Sequence, residues 1–393
     1  MKILFFQWEA FMQIGIERAL QRLKIDYFVY KDHIDDWDKD IALMDRVDRR
    51  LDNIDLRDID TIFSVNFIPV IADLAKKRNL RYISWVYDCP LHFRRKESMK
   101  YKNNTIYFFD RMQAESYRKA GVDARHMPLA ADAEVFYDTV ERQDKDIMLQ
   151  GNTAKKQDDD YICDVSLLGK LYKSDFEYLC TPLSQYNRGF MDGIINAQMG
   201  LECGYIIDDL VTDELIASLN RDYKKASSGS FQVIKDEITY TLAMEVTARR
   251  RFNALFLLQN RCRLNLYSNE RDERLKADIF KGYADYYKEM PDIFMRSRIN
   301  LNISLCAIPS GIPLRVLDVL SVGGFLITNM QPEVMEYFTA DEDLVYYEDT
   351  KDLVMKVEYY LAHDDERKRI AANGQRKVRE LFTFDDRIGR ILG

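Results

Sequence analysis

The stretch Ile299–Asn329, INLNISLCAIPSGIPLRVLDVLSVGGFLITN, leaves this chain few folds to choose from. Ile299, Leu301 and Ile303 alternate with Asn300 and Asn302, the period of a half-buried strand. Ser310-Gly311-Ile312-Pro313 then makes a sharp entry into a helix, with Pro313 where a first helical residue tolerates it. Val316, Leu317 and Leu320 give that helix an apolar face, Gly323-Gly324 ends it, and Phe325-Leu326-Ile327 reads as the next buried strand. Such a βαβ unit sets a helix N-terminus at the carboxyl ends of parallel strands, where backbone N–H groups and the helix dipole favour an anion. Arg315 has the fork to hold phosphate oxygens, and Asp318 the two acceptors to hold a ribose diol. The competing reading of these two side chains is a local surface ion pair.

The run Ser310–Gly324 resembles the donor loop and helix of GT-B glycosyltransferases of the retaining "group 1" kind. Their motif carries two glutamates separated by seven residues, the second followed five positions later by glycine. Asp318 matches the second glutamate and Gly323 the glycine, whereas Ser310 stands in the first glutamate's place. More closely, the chain is similar to the CgeB-like, spore-maturation type. The blocks that carry this are Asp164–Gly169 (DVSLLG), Ser297–Ser304 (SRINLNIS), the IPLRVLDVLSVGGFLIT run and the tail Asp365–Arg387. The resemblance implies an α/β fold of two Rossmann-like parallel-sheet domains facing a cleft. It implies a nucleotide-diphosphate sugar, most often UDP-linked, as donor, and transfer of a hexosyl or N-acetylhexosaminyl group.

The rest of the chain agrees with a soluble α/β protein. A net charge of −8 argues against a general nucleic-acid or anionic-membrane binder. The short basic clusters Lys76-Lys77-Arg78, Arg94-Arg95-Lys96 and Arg249-Arg250-Arg251 read as solvated faces. Six cysteines without a C-x-x-C pair read as small core residues in a reducing compartment, and four scattered histidines make a zinc site unexpected. No apolar run approaches the length of about 18 residues needed to span a bilayer, and the start MKILFF reads as a strand, so a cytoplasmic location is expected.

Taken in order, strands are expected at Lys2–Gln7, Tyr27–Tyr30, Thr61–Val65, Arg81–Tyr87, Thr105–Phe109 and Ala124–Met127, with helices between them. The first β/α turn, Gln7-Trp8-Glu9-Ala10, has no glycine, which excludes a G-x-G-x-x-G dinucleotide site. Residues 1–138 form the expected first domain, 139–160 a polar linker containing Asp158-Asp159-Asp160, and 161–393 the second domain. Residues 175–260 break the strand–helix alternation and read as a helical insertion, by the spacing of Phe231, Ile234, Ile238, Leu242 and Val246. Its two readings are a subdomain shaping the acceptor side and a surface that pairs two copies into a homodimer. By resemblance, the terminal helix Phe384–Leu392 packs back on the first domain.

The expected donor residues are Gly169, Lys170, Ser310, Gly311 and Arg315 for the diphosphate and Asp318 for the ribose. Tyr283 and Tyr287 lie where the resemblance puts a stacked nucleobase; the competing reading of each is a packing residue. Together with backbone N–H groups, the cations would neutralise a leaving diphosphate without a metal or other cofactor. Trp8, Asn66, Asp88 and His92 each follow a strand of the first domain. Trp8 suits a sugar face and Asn66 an acceptor contact, while Asp88 or His92 would be the base of an inverting transfer. In a retaining transfer they would only position the acceptor, whose hydroxyl belongs to a glycan, a protein or a small molecule. Asp88 before Cys89-Pro90 also fits a plain turn former. Two other functions stay open: a nucleotide-sugar epimerase on the same fold, and a non-catalytic glycan-binding or assembly protein.

Overall fold

The computed structural model describes residues 1–52, 58–91, 93–136, 161–201, 203–226 and 231–393. The polar linker expected at 139–160 lies outside them, as does His92. The chain divides into two compact units. The first comprises Met1–Val135, Ser310–Leu317 and Lys377–Gly393, the second Phe136–Pro309 and Asp318–Arg376.

The first unit is built on a parallel sheet of six strands in the order β2-β1-β3-β4-β5-β6. These are β1 (Lys2–Gln7), β2 (Asp26–Lys31), β3 (Thr61–Val65), β4 (Arg81–Val86), β5 (Asn104–Phe108) and β6 (Ala124–His126). All five of β3's residues are buried, the pattern of a strand covered on both faces, with Ile62, Phe63 and Val65 apolar and Thr61 and Ser64 the two polar residues. Edge strand β2 is half exposed and mixes charged with aromatic residues. Helices Gln13–Arg22, Ile41–Leu51, Pro69–Arg78 and Arg111–Lys119 connect the strands. Leu4, Phe6, Ile62, Phe67, Ile71, Tyr82 and Phe108 share one core. The terminal helix Phe384–Leu392 is also in this unit: Phe384 meets Trp85 edge-on at 6.1 Å, and Arg387 Nε donates to the Pro128 carbonyl at 3.0 Å.

The second unit has its own six-strand parallel sheet, ordered β12-β11-β10-β7-β8-β9. Its strands are β7 (Cys163–Leu168), β8 (Leu264–Tyr267), β9 (Phe280–Gly282), β10 (Ser297–Asn302), β11 (Leu326–Asn329) and β12 (Val345–Tyr347). The α/β class with two parallel sheets is therefore the observed one. In each sheet the strand order reverses once, between β1 and β3 and between β7 and β10, and the crevice at such a reversal is where open α/β sheets hold ligands.

The insertion is a single long detour within the β7-to-β8 crossover. It contains helices Phe176–Cys180, Gln185–Met199, Ile207–Leu210, Asp213–Ala226 and Lys235–Leu258. Ile238, Leu242 and Val246 are buried as the spacing predicts, but Phe231 and Ile234 precede the helix and are exposed. The last helix serves two cores. Its first half packs with Phe176, Met191 and Leu219 of the insertion, and Ala254, Leu255 and Leu258 pack under the sheet.

One buried carboxylate ties the insertion together. Asp222 accepts from the Ser184 N–H (2.9 Å), the Ser184 hydroxyl (2.7 Å) and Asn187 Nδ2 (2.6 Å). The Ser184 donors hold its pKa down at about 2. A carboxylate held low in the folded state stabilises above its ordinary range, and that stabilisation fades as the pH falls toward the folded value. Asp222→Asn is expected to cost roughly 1–2 kcal/mol at neutral pH and much less near pH 2. Urea unfolding at the two pH values measures this, and an equal loss at both would refute it.

Candidate functional site

In the first unit, the loops after β1, β3 and β4 gather Trp8, Asn66, Tyr87 and Asp88. Asn66 adopts a left-handed conformation (φ 60°), which asparagine tolerates better than most residues. Its amide is spent locally: Nδ2 donates to Asp88 Oδ2 at 2.6 Å, and Oδ1 accepts from the Tyr87 and Asp88 N–H groups at 2.9 and 3.3 Å. With 1% of its surface exposed, Asn66 is a holder of Asp88 rather than the direct acceptor contact expected from sequence. Asp88 itself is half-buried. Trp8 is half-buried too. Its indole N–H donates to the Val65 carbonyl at 2.8 Å, its ring runs parallel to Tyr87 at 6.4 Å, and Trp37 meets it edge-on at 5.0 Å. Burial, with Asp88 nearby, pushes the Tyr87 phenol well above its ordinary pKa, so it stays protonated.

The Ser310–Gly311 bend was expected to offer N–H groups to phosphate. In the structure both are taken. Asp110 Oδ2 accepts from Ser310 N–H at 2.7 Å and from Gly311 N–H at 2.6 Å. Asp110 Oδ1 caps the helix Arg111–Lys119 by accepting from Gln113 N–H at 2.7 Å. The Ser310 hydroxyl accepts from Met112 N–H at 3.2 Å. Gly311 is required here because a Cβ would lie 2.8 Å from the Phe109 ring. The cradle is real, but a carboxylate of the chain fills it.

In the second unit, Gly169 follows β7 with φ 139°, a conformation that favours glycine. Its loop is fixed by Arg251, which donates from Nε to the Ile303 carbonyl at 3.1 Å and from Nη1 to the Lys170 carbonyl. Arg251 is 6% exposed, and this corrects the solvated-face reading for the third member of its cluster. The Lys170 side chain is exposed. Asp318 is 1% exposed, which rules out a surface ion pair, and its Oδ1 accepts from the Tyr286 hydroxyl at 2.8 Å. Tyr287 packs edge-on against Tyr286 at 4.8 Å, Phe136 meets both rings, and Tyr283 is exposed. Arg315, half-buried, falls in the first unit with Ser310 and Gly311.

Three contributors were not nominated from sequence: Asp110, Arg251 and Tyr286. Asp110 had a local signal, an acid directly before a helix. Tyr286 stood beside two nominated tyrosines, and nothing in its spacing marks it as the one that meets Asp318. Among the described residues no group of three or more His, Cys, Asp or Glu side chains could hold a metal ion, and no helix is long and apolar enough to cross a membrane. Burial pushes the thiols of Cys180 and Cys262 up to about 11 and about 12, so neither is a nucleophile at neutral pH.

Residues 249–393 match a family model described as glycosyl transferase-like. No curated protein matches the chain. Several solved structures share its fold. A glycosyltransferase from Rickettsia africae ESF-5 aligns with a TM-score of 0.52 at 9% identity, over 100% of this chain and 96% of that one. Anabaena Alr3699/HepE, solved in complex with UDP and glucose, aligns with a TM-score of 0.50 at 12% identity, covering 100% and 99%. Sucrose-phosphate synthase from Thermosynechococcus elongatus gives 0.50 at 9% identity, covering 99% and 98%. The fold is thus the GT-B fold anticipated from the sequence.

Removing the Asp110 carboxylate strands three backbone donors. Asp110→Ala is expected to destabilise by about 2–4 kcal/mol and to speed amide exchange at Ser310 and Gly311 by about tenfold or more. Exchange at those two amides unchanged from the parent protein would contradict it.

Proposed function

We propose that this chain is a glycosyltransferase of the CgeB-like type, moving a hexosyl or N-acetylhexosaminyl group from a UDP-linked donor to a hydroxyl acceptor without a metal. The observation that carries the reading is the glycosyl transferase-like match over 249–393, which contains the bend, Arg315 and Asp318. The shared fold with the UDP- and glucose-bound Anabaena structure supports it. A cytoplasmic location and a glycan, protein or small-molecule acceptor belong to the same proposal.

Apart from Ser310 and Gly311, each nominated residue then has a defined task. The diphosphate charge falls on Lys170, Arg315 and the backbone at Gly169, because Asp110 already occupies the Ser310 and Gly311 N–H groups. Growing negative charge on the leaving phosphate strengthens such contacts as the sugar–phosphate bond breaks. Asp318 receives the ribose: a ribose diol takes over the place of the Tyr286 hydroxyl, exchanging one donor for two. Tyr283 and Tyr287 supply aromatic faces for the base. Trp8 packs on the acceptor sugar. Asp88, oriented by Asn66, takes the acceptor proton if the transfer inverts, with His92 the other nominated base. If the transfer retains configuration, the donor phosphate takes that proton and Asp88 aligns the acceptor hydroxyl.

The test is nucleotide release over a panel of nucleotide sugars, joined to UDP titrations. One donor is expected to release its nucleotide. Arg315→Ala should weaken UDP about tenfold or more, and equal affinities would remove Arg315 from the site. For an inverting enzyme, Asp88→Asn should lower kcat by about 10²–10⁴-fold with UDP affinity kept. Interconversion of donors without nucleotide release would instead indicate an epimerase, and binding without turnover a glycan-binding protein.

A further inference from the structure

At the amino ends of the second sheet's central strands lies a cavity of about 320 Å³, within the size range of small-molecule sites. Its wall is formed where Tyr161 leads toward β7, Arg298 opens β10, and Gly323-Gly324 lead into β11. The helix Asp364–Leu381 closes one side with Arg367 and Lys368. Among the described residues three cations line this cavity and no carboxylate does.

The arginines are held close together. The Tyr161 ring lies 5.3 Å from the Arg298 guanidinium and 5.6 Å from that of Arg367. Arg367 is buried and donates to Asp364 at 2.5 Å and to the Tyr360 carbonyl at 2.7 Å. Arg298 Nε is buried and has no hydrogen-bond partner among the described residues. Grouping like charges around one ring and burying an unanswered donor both cost free energy, and a dianion entering the cavity relieves both costs. A second, larger groove in this unit, of about 1000 Å³ beside Phe252, answers its four cations with four carboxylates and makes no such demand.

We propose that this cavity is a binding site for a small phosphomonoester, the phosphate on Arg298, Arg367 and Lys368 and the remainder of the ligand in the open volume. It stands at the opposite ends of the strands from Gly169 and Lys170, and it does not rest on the transferase reading.

Calorimetric titration of the full chain with inorganic phosphate and with a hexose 6-phosphate tests this. The hexose phosphate is expected to bind, and Arg298→Gln should weaken it about tenfold or more. Lys368→Gln, at an exposed position, should weaken it by a smaller factor. UDP affinity should be the same in all three proteins. The proposal is overturned by no binding of either probe up to about 10 mM. It is equally overturned by unchanged affinity in both variants, by binding of phosphate with exclusion of the sugar phosphate, or by loss of UDP affinity in Arg298→Gln.

Discussion

A buried carboxylate is tolerated only where donors surround it, and Asp110 meets that condition with backbone N–H groups from two distant stretches of chain. One oxygen takes Gln113 and begins the helix that follows β5; the other takes Ser310 and Gly311, some two hundred residues further on. The bend entering the helix Leu314–Ser321 is thereby set in place before any ligand arrives. Arg315 follows that bend within the same unit.

The fold was largely legible because both sheets are parallel and covered on two faces. Such strands must be nearly continuous apolar runs, and β1, β3 and β4 announced themselves to within a residue or so. What escaped were short elements. Phe280–Gly282 is a three-residue edge strand that is mostly exposed, so it carries neither alternation nor an apolar run. Met290–Arg296 is only seven residues, too short for a helical period to show. The insertion was visible as a break in rhythm, but its register was misjudged at the start: Phe231 and Ile234 continue the spacing of the helix without belonging to it.

The hydrogen-bond partners of the nominated residues were less legible than their places in the fold. Residues that follow strands were nominated because strand ends are where loops diverge from the sheet. Yet Asn66, nominated for contact, is buried and serves Asp88, while Arg251, set aside as a solvated cation, is buried and fixes the loop after β7. In both cases the deciding partner is remote in sequence or is a backbone carbonyl, and neither leaves a mark in spacing or composition. A hydrogen bond to a carbonyl can be made to any residue.

The same reasoning accounts for the two departures from the two-glutamate motif. A glutamate at position 310 would bring a second carboxylate beside the buried Asp110, with no cation yet assigned to offset the repulsion. A serine has no charge to repel, and its hydroxyl accepts the Met112 N–H, adding a second tie between the bend and the helix that Asp110 caps. At 318 the acid is one methylene shorter than glutamate, and the Tyr286 hydroxyl comes to meet it at 2.8 Å. The two substitutions are therefore matched to neighbours that this chain supplies, an aspartate for the serine and a tyrosine for the aspartate.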